Sequence, residues 1–176
     1  FTIFYEYYPD YFTQMAYQAQ DRLALIYQTR NWNYSRQLGL VANTIFTLGR
    51  WLDTNLSAVC LRMSQKCDNT DGISFDRHKI VSQLSADNTI HLSKFLTCNI
   101  SNVYTSPLIQ GQYDLSHLYD MDLSVMYCLK DRMRLTMGVN DLFNSGIPKV
   151  RVRYQNQNFD MNSSYYSRSL FIKLVY

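Results

Sequence analysis

Residues 119–129 read YDMDLSVMYCL and residues 132–140 read RMRLTMGVN, and the alternation within them decides the fold. In the first run Tyr119, Met121, Leu123, Val125, Tyr127 and Leu129 share one parity, while Asp120, Asp122 and Ser124 share the other. In the second, Met133, Leu135, Met137 and Val139 alternate with Arg132, Arg134, Thr136 and Asn140. A period of two sends successive side chains to opposite faces of a strand. Directly opposed residues of an antiparallel pair share a face, which supplies a parity test. Setting Cys128 opposite Arg134 puts Met126 opposite Thr136, Ser124 opposite Gly138 and Asp122 opposite Asn140. It also puts Tyr127, Val125 and Leu123 opposite Leu135, Met137 and Val139. No frame error arises, so the two runs are predicted to pair as a hairpin.

The same pattern extends outward. Val150, Val152 and Tyr154 alternate with Lys149, Arg151, Arg153 and Gln155. At the end of the chain Leu170, Ile172, Leu174 and Tyr176 alternate with Ser167, Ser169 and Lys173, with Phe171 and Val175 as apolar residues on the wetter side. Strands are expected near 1–8, 22–29, 36–48, 52–66, 76–87, 90–105, 118–129, 132–140, 149–157 and 165–176, about ten in all. Tight turns are expected at Gly49-Arg50-Trp51, Asp87-Asn88 and Lys130-Asp131, and longer connections over 9–21 (which could carry a short strand), 67–75 and 106–117. Pro9, Pro107 and Pro148 all fall outside the expected strand interiors, where a ladder tolerates proline poorly. Asn140 to Phe143 could form a single helical turn. The class is all-β, with antiparallel strands.

Composition narrows the function classes. The chain has 176 residues, 47% hydrophobic, with 15 tyrosines and a net charge of +3, enough for one ordinary domain. That charge is too small and too dispersed to argue for nucleic acid. No run approaches the roughly 18 apolar residues of a spanning helix, a test to which alternating barrel strands are blind. Cys60, Cys67, Cys98 and Cys128 lack paired metal-ligand spacing, and His78, His91 and His117 are scattered, so neither zinc nor another cofactor is expected. Cys60 and Cys67 could bridge across a loop in an exported protein, although nothing in the sequence fixes their separation. There is no G-x-S-x-G and no phosphate loop, and Asp120 and Asp122 merely share a strand face, so an enzyme is disfavoured. Phe1 already lies in a strand-like stretch with Ile3, Tyr5 and Tyr7 on one face and has no leader before it, which gives the expectation of a piece of a longer protein.

Each strand has a greasy face, which needs either a second layer or lipid. Three features favour lipid. The strands are long, near the roughly 9–11 residues of a tilted spanning strand. Tyr104, Tyr119, Tyr127, Tyr154, Tyr165, Tyr166 and Tyr176 cluster near strand ends, as interfacial girdles do. Charged and amide side chains run well into the wetter face, which suits a polar lumen. The competing soluble reading is a carbohydrate-binding sandwich in which exposed Trp32 and Trp51 stack on sugars, but six glycines would leave its turns poorly supplied.

The run LTMGVNDLFN at 135–144 resembles the strand and N-D/N-L-F element near the C-terminus of TonB-dependent outer-membrane receptors, with Asn140, Asp141, Leu142 and Phe143 as the motif. As in that family, a hairpin and a terminal strand ending in an aromatic follow, here Tyr176 in place of the usual Phe. The segment YTSPLIQGQY at 104–113 is similar to the outer-membrane β-barrel variety of these receptors. The resemblance implies a C-terminal barrel portion spanning 1–176, within a wall of about 22 strands. The plug domain, the segment that engages TonB and the earlier barrel strands would then lie outside this chain. It implies partners: outer-membrane lipid, the assembly machinery reading Leu170, Ile172, Leu174 and Tyr176, and a plug and TonB complex in the parent. The parent would take up a scarce solute (siderophore, cobalamin, glycan or peptide) by energised transport across the outer membrane. Lumenal Asp120, Asp122, Arg132, Arg134, Arg151 and Arg153 are the candidates for ligand or plug contact. A small non-transport barrel, adhesive or structural, is the alternative membrane reading.

Overall fold

The computed structural model describes residues 1–19, 24–70, 73–130, 133–154, 157–162 and 167–176. All regular structure among them is β: β1 (Thr2–Pro9), β2 (Phe12–Gln18), β3 (Leu25–Asn31), β4 (Tyr34–Leu48), β5 (Leu52–Thr70), β6 (Ile73–His91), β7 (Leu96–Thr105), β8 (Leu108–Gln110), β9 (Tyr113–Leu115), β10 (Leu118–Lys130), β11 (Met133–Asn140), β12 (Val150–Tyr154), β13 (Gln157–Met161) and β14 (Ser169–Val175). Eight strands form one antiparallel sheet in the order β1-β4-β5-β6-β7-β10-β11-β14. Its outermost strands, β1 and β14, do not pair with each other, so the sheet is an open wall. The remaining strands form a four-stranded sheet, β13-β12-β9-β8, and the β2-β3 hairpin.

The predicted hairpin register is the observed one. Cys128 faces Arg134, Met126 faces Thr136, Ser124 faces Gly138, and Tyr127, Val125 and Leu123 face Leu135, Met137 and Val139. The parity argument carries across the whole wall. Ile3 pairs with Leu40, Leu40 with Cys60, Ala58 with Leu84, Leu84 with Tyr104 and Tyr104 with Tyr119. Further down, Met137 pairs with Ile172 and Leu135 with Leu174. One continuous apolar face results, and it is bare: Ile3 is 77% exposed, Ile80 68% and Ile172 71%. In water such a face would be costly at about 25 cal/mol per Å² of apolar area.

The opposite face is polar and cross-linked between strands. Ser101 Oγ donates to Asp87 Oδ1 at 2.6 Å, Thr89 Oγ1 to Asn99 Oδ1 at 3.1 Å, and Thr47 Oγ1 to Asp53 Oδ1 at 2.8 Å. His91 Nε2 lies 2.8 Å from Asp53 Oδ2.

Several expectations are corrected. Asp87 and Asn88 make no turn: they lie inside β6, pairing with Asn55 and Thr54, and the chain reverses at Leu92–Phe95 instead. Residues 149–157 do not supply a wall strand, because β12 belongs to the small four-stranded sheet. The same holds for 22–29, whose described part is β3 of a separate hairpin. Cys60 and Cys67 cannot bridge. They sit seven residues apart on one strand with opposite parity, roughly 23 Å at about 3.3 Å per residue, far beyond disulfide reach. Trp32 is not an exposed stacking surface, being 2% exposed. Asn140 to Phe143 form no helix: Asp141 and Asn144 take positive φ of 47° and 55°, and Asn144 N–H donates to Asp141 O at 2.9 Å in a tight turn. Arg132, Tyr165, Tyr166 and the Asp131 turn lie outside the described residues.

Candidate functional site

The antiparallel order sorts the connections by length. The described residues of 10–33, 106–117 and 141–168, with the end of β5 and the start of β6, all lie at one end of the wall. The reversals at Gly49–Trp51 and Leu92–Phe95, the end of β10 at Lys130, the start of β11 at Met133, and Tyr176 lie at the other. The long β5-β6 hairpin therefore projects as a post on which the loop sheets settle.

They settle on the polar side. Cys67 and Phe75, direct partners on that face, are buried with Met15 and Trp32 of the β2-β3 unit. Trp32 meets Phe75 edge-on at 5.1 Å and donates its indole N–H to Met15 Sδ at 3.1 Å. Gly111, at φ 58°, backs onto the Trp32 ring, where a Cβ would lie 2.5 Å from Cζ2. Its N–H donates to Gln65 Oε1 at 2.8 Å, and its carbonyl accepts from Arg77 Nη1 at 2.9 Å. Buried Gln112 donates Nε2–H to Ala16 O at 3.0 Å, tying the two loop units together. Buried polar groups of this kind need partners, and the Gln65 side-chain carbonyl, the Gly111 amide and carbonyl, and the Gln112 Nε2 find them here.

Between the charged face of the small sheet and the β6 wall lies a cavity of about 550 Å³, which Lys79, His117, Lys149, Arg151, Arg153 and Asp114 help to line. Arg77 anchors the sheet through an ion pair to Asp114. Ser116 and Lys149 exchange hydrogen bonds at 2.9 Å, fixing β9 beside the entry to β12. Arg151 Nε donates to Asp160 Oδ1 at 3.0 Å, so its charge is matched. Among the described residues Lys79, Lys149 and Arg153 have no acidic partner. The cavity thus carries surplus positive charge in a walled recess, where the field of the cations is focused. Guanidinium and ammonium groups so placed suit carboxylate, phosphate or sulfate groups. Among the described residues, no three His, Cys, Asp or Glu side chains are placed to hold a metal.

The candidates from sequence separate into three groups. Arg151 and Arg153 come together at this cavity, though from the loop sheet rather than from the wall. Asp120 and Asp122 belong to a different node, where Asp122 Oδ1 accepts the Asp141 N–H at 2.8 Å. Arg134 lies far down the wall, opposite Cys128 and Val175, near the short turns. Lys79, His117 and Lys149 were missed as site residues because three separate segments contribute them. Only the loop-sheet pairing of β9 with β12 brings Ser116 and Lys149 side by side.

The N-D-L-F element acts as a clamp. The Asp141 carboxylate is 3% exposed and accepts from Ser145 N–H at 2.8 Å, Gly146 N–H at 2.9 Å and the Ser167 hydroxyl. Burial pushes its pKa up, but those donors and nearby Arg168 outweigh burial and hold it below the ordinary carboxylate value. Asn144 Oδ1 accepts from Ser167 N–H at 3.0 Å, and Leu142 N–H donates to Met121 O at 2.7 Å. Phe143 packs on Tyr119 with ring centroids 5.9 Å apart. The motif thus fastens both ends of the 141–168 connection to β10.

Compared with known proteins, the family described as outer membrane protein beta-barrel family matches residues 1–176. No curated protein and no solved structure matches the chain.

Proposed function

The chain belongs to the outer membrane protein beta-barrel family and resides in the bacterial outer membrane, and from that premise we propose that it is the C-terminal wall and loop segment of a TonB-dependent receptor. The bare apolar face meets lipid and the polar face lines the lumen. Short periplasmic turns and longer outer loops are the rule in such barrels, which orients the loop sheets outward. The unpaired outer edges of β1 and β14 support a place in a larger wall, because hydrocarbon leaves no partner for exposed backbone groups. Plug and TonB complex would then be contributed by the parent protein.

The observation that carries the uptake reading is the cation-rich cavity under the loop sheet. Lys79, Lys149 and Arg153 face a recess on the lumenal side, where an anionic scarce solute would be held before passage. The experiment is growth of cells on limiting siderophore, cobalamin, glycan or peptide, comparing wild type with Lys149→Gln/Arg153→Gln and with cells lacking TonB. Loss of growth on the same solute in both strains supports the reading. Full growth of the TonB-deficient strain on every solute would overturn it in favour of a non-transport barrel.

A further inference from the structure

The apolar face carries an anomaly above its greasy band. β4 from Leu48 up to Leu38, β5 from Leu52 up to position 62 and β6 from Ile90 up to Ile80 are in register, and each span covers 11 residues. That matches the roughly 9–11 residues of a tilted spanning strand. At the upper limit stands Arg62, exposed, with Leu38 on one side and Ile80 on the other as direct partners. One row further out Arg36 lies between Tyr7 and Ser64, also exposed, its guanidinium 5.3 Å over the Tyr34 ring. Among the described residues neither arginine has an acidic partner. The nearest cation that does is Lys66, another row out, which pairs with Asp68 at 3.0 Å and faces Asp76.

A lipid-facing arginine costs about 2–4 kcal/mol at the midplane and about 0–1 kcal/mol at the interface. Two of them at the band's edge, beside Tyr7 and Tyr34 whose rings lie 6.0 Å apart, therefore sit at headgroup level. Arg36 and Arg62 are diagonal neighbours across β4 and β5, about 7–8 Å apart in such pairs. That spacing lets two guanidinium groups grip one phosphate, or the two phosphates of one headgroup, bidentately. Basic clusters next to an apolar band recognise anionic lipid by this chemistry.

We propose that Arg36 and Arg62, framed by Tyr7 and Tyr34, form a binding site on the outer wall for the phosphate-bearing headgroup of an outer-leaflet lipid. The site rests on the outward orientation of the loop sheets proposed above, and it stands whether or not the lumenal cavity serves uptake.

The test is native mass spectrometry of the full-length protein extracted from outer membranes in mild detergent. It is repeated after adding bis-phosphorylated lipid A, phosphatidylcholine or inorganic phosphate. Wild type is expected to retain lipid A over phosphatidylcholine, and Arg36→Gln/Arg62→Gln to lose that retention at least tenfold. Arg36→Lys/Arg62→Lys should restore part of it, with a boiling-dependent gel shift confirming the fold of each variant. Undiminished retention by the folded Gln variant overturns the site. So does equal retention of phosphatidylcholine, or competition by inorganic phosphate alone, which would mark a free-anion site.

Discussion

Phe171 stands directly opposite Gly138 across β11 and β14, and its ring occupies the space a side chain there would need. A Cβ on Gly138 would lie 2.6 Å from Phe171 Cζ and 2.8 Å from Leu123 O. The other end of the wall repeats the device: Phe4 is the partner of Gly39, where a Cβ would lie 2.5 Å from its Cζ. An aromatic laid over a glycine restores packing that the glycine forfeits and pins register. Gly138→Ala should thus destabilise the protein by about 1–3 kcal/mol through overpacking. Adding Phe171→Ala should cancel much of the ring clash but not the approach to Leu123 O. Urea unfolding of the lipid-embedded protein measures both, and a Gly138→Ala variant as stable as wild type would refute the arrangement.

Asp141 should make the 141–168 connection sensitive to acid. Its folded pKa is depressed, so its contribution is present above the unfolded value, about 3.9. The contribution is lost as pH falls through the lower folded value. Hydrogen exchange at the Ser145 and Gly146 amides should therefore speed up in that acid window relative to amides in β11. Asp141→Ala should speed it at neutral pH by about tenfold or more, the equivalent of one charged hydrogen bond. A profile that stays flat through acid, or that Asp141→Asn leaves unchanged, is incompatible with the clamp.

What was legible in the sequence followed from local periodicity. The β10-β11 register could be read residue by residue because a one-residue slip would turn every side chain over. The Asp87-Asn88 turn was misread because adjacent Asp and Asn are common turn residues. In the structure Asn88 accepts from Thr54 at 3.0 Å across the strand pair, so the polarity is satisfied sideways rather than by a bend. Residues 149–157 alternate like wall strands, yet alternation says only that a strand has two faces, not which sheet it joins. The cavity cations were illegible for the same reason. Lys79 and Lys149 come to line one cavity only through the folding of a loop sheet onto the wall, where Arg77 pairs with Asp114.

The Trp32 anchor can be followed by fluorescence, because the chain has two tryptophans. Trp51→Phe removes the one that is 50% exposed at the short-turn end and leaves Trp32, which is 2% exposed. In that background Gly111→Ala should shift emission to the red. It adds a Cβ 2.5 Å from the indole and places alanine at a left-handed φ, costing about 1–2 kcal/mol. Unaltered emission with a normal heat-dependent gel shift would mean that the loop units do not depend on this contact.

The terminal strand offers the sharpest separation of the two faces, because adjacent residues should respond in opposite ways. Ile172 is 71% exposed on the apolar face and pairs with Met137, whereas Lys173 pairs with Thr136 on the polar face. Ile172→Arg sets a charge against lipid and should cost about 2–4 kcal/mol if it lies near the midplane. Lys173→Glu exchanges one solvated lumenal charge for another and should stay within about 0.5 kcal/mol, as surface changes usually do. Leu170, Leu174 and Tyr176 share the face of Ile172, so removing Tyr176 should impair assembly while leaving the fold of molecules that do insert unchanged. The measurement is the folded fraction in isolated outer membranes, read from the boiling-dependent gel shift, together with urea midpoints of the inserted protein. Equal penalties for Ile172→Arg and Lys173→Glu would mean that β14 has no lipid side. A full yield without Tyr176 would remove the aromatic end from any assembly signal and leave Leu170, Ile172 and Leu174 to act as wall alone.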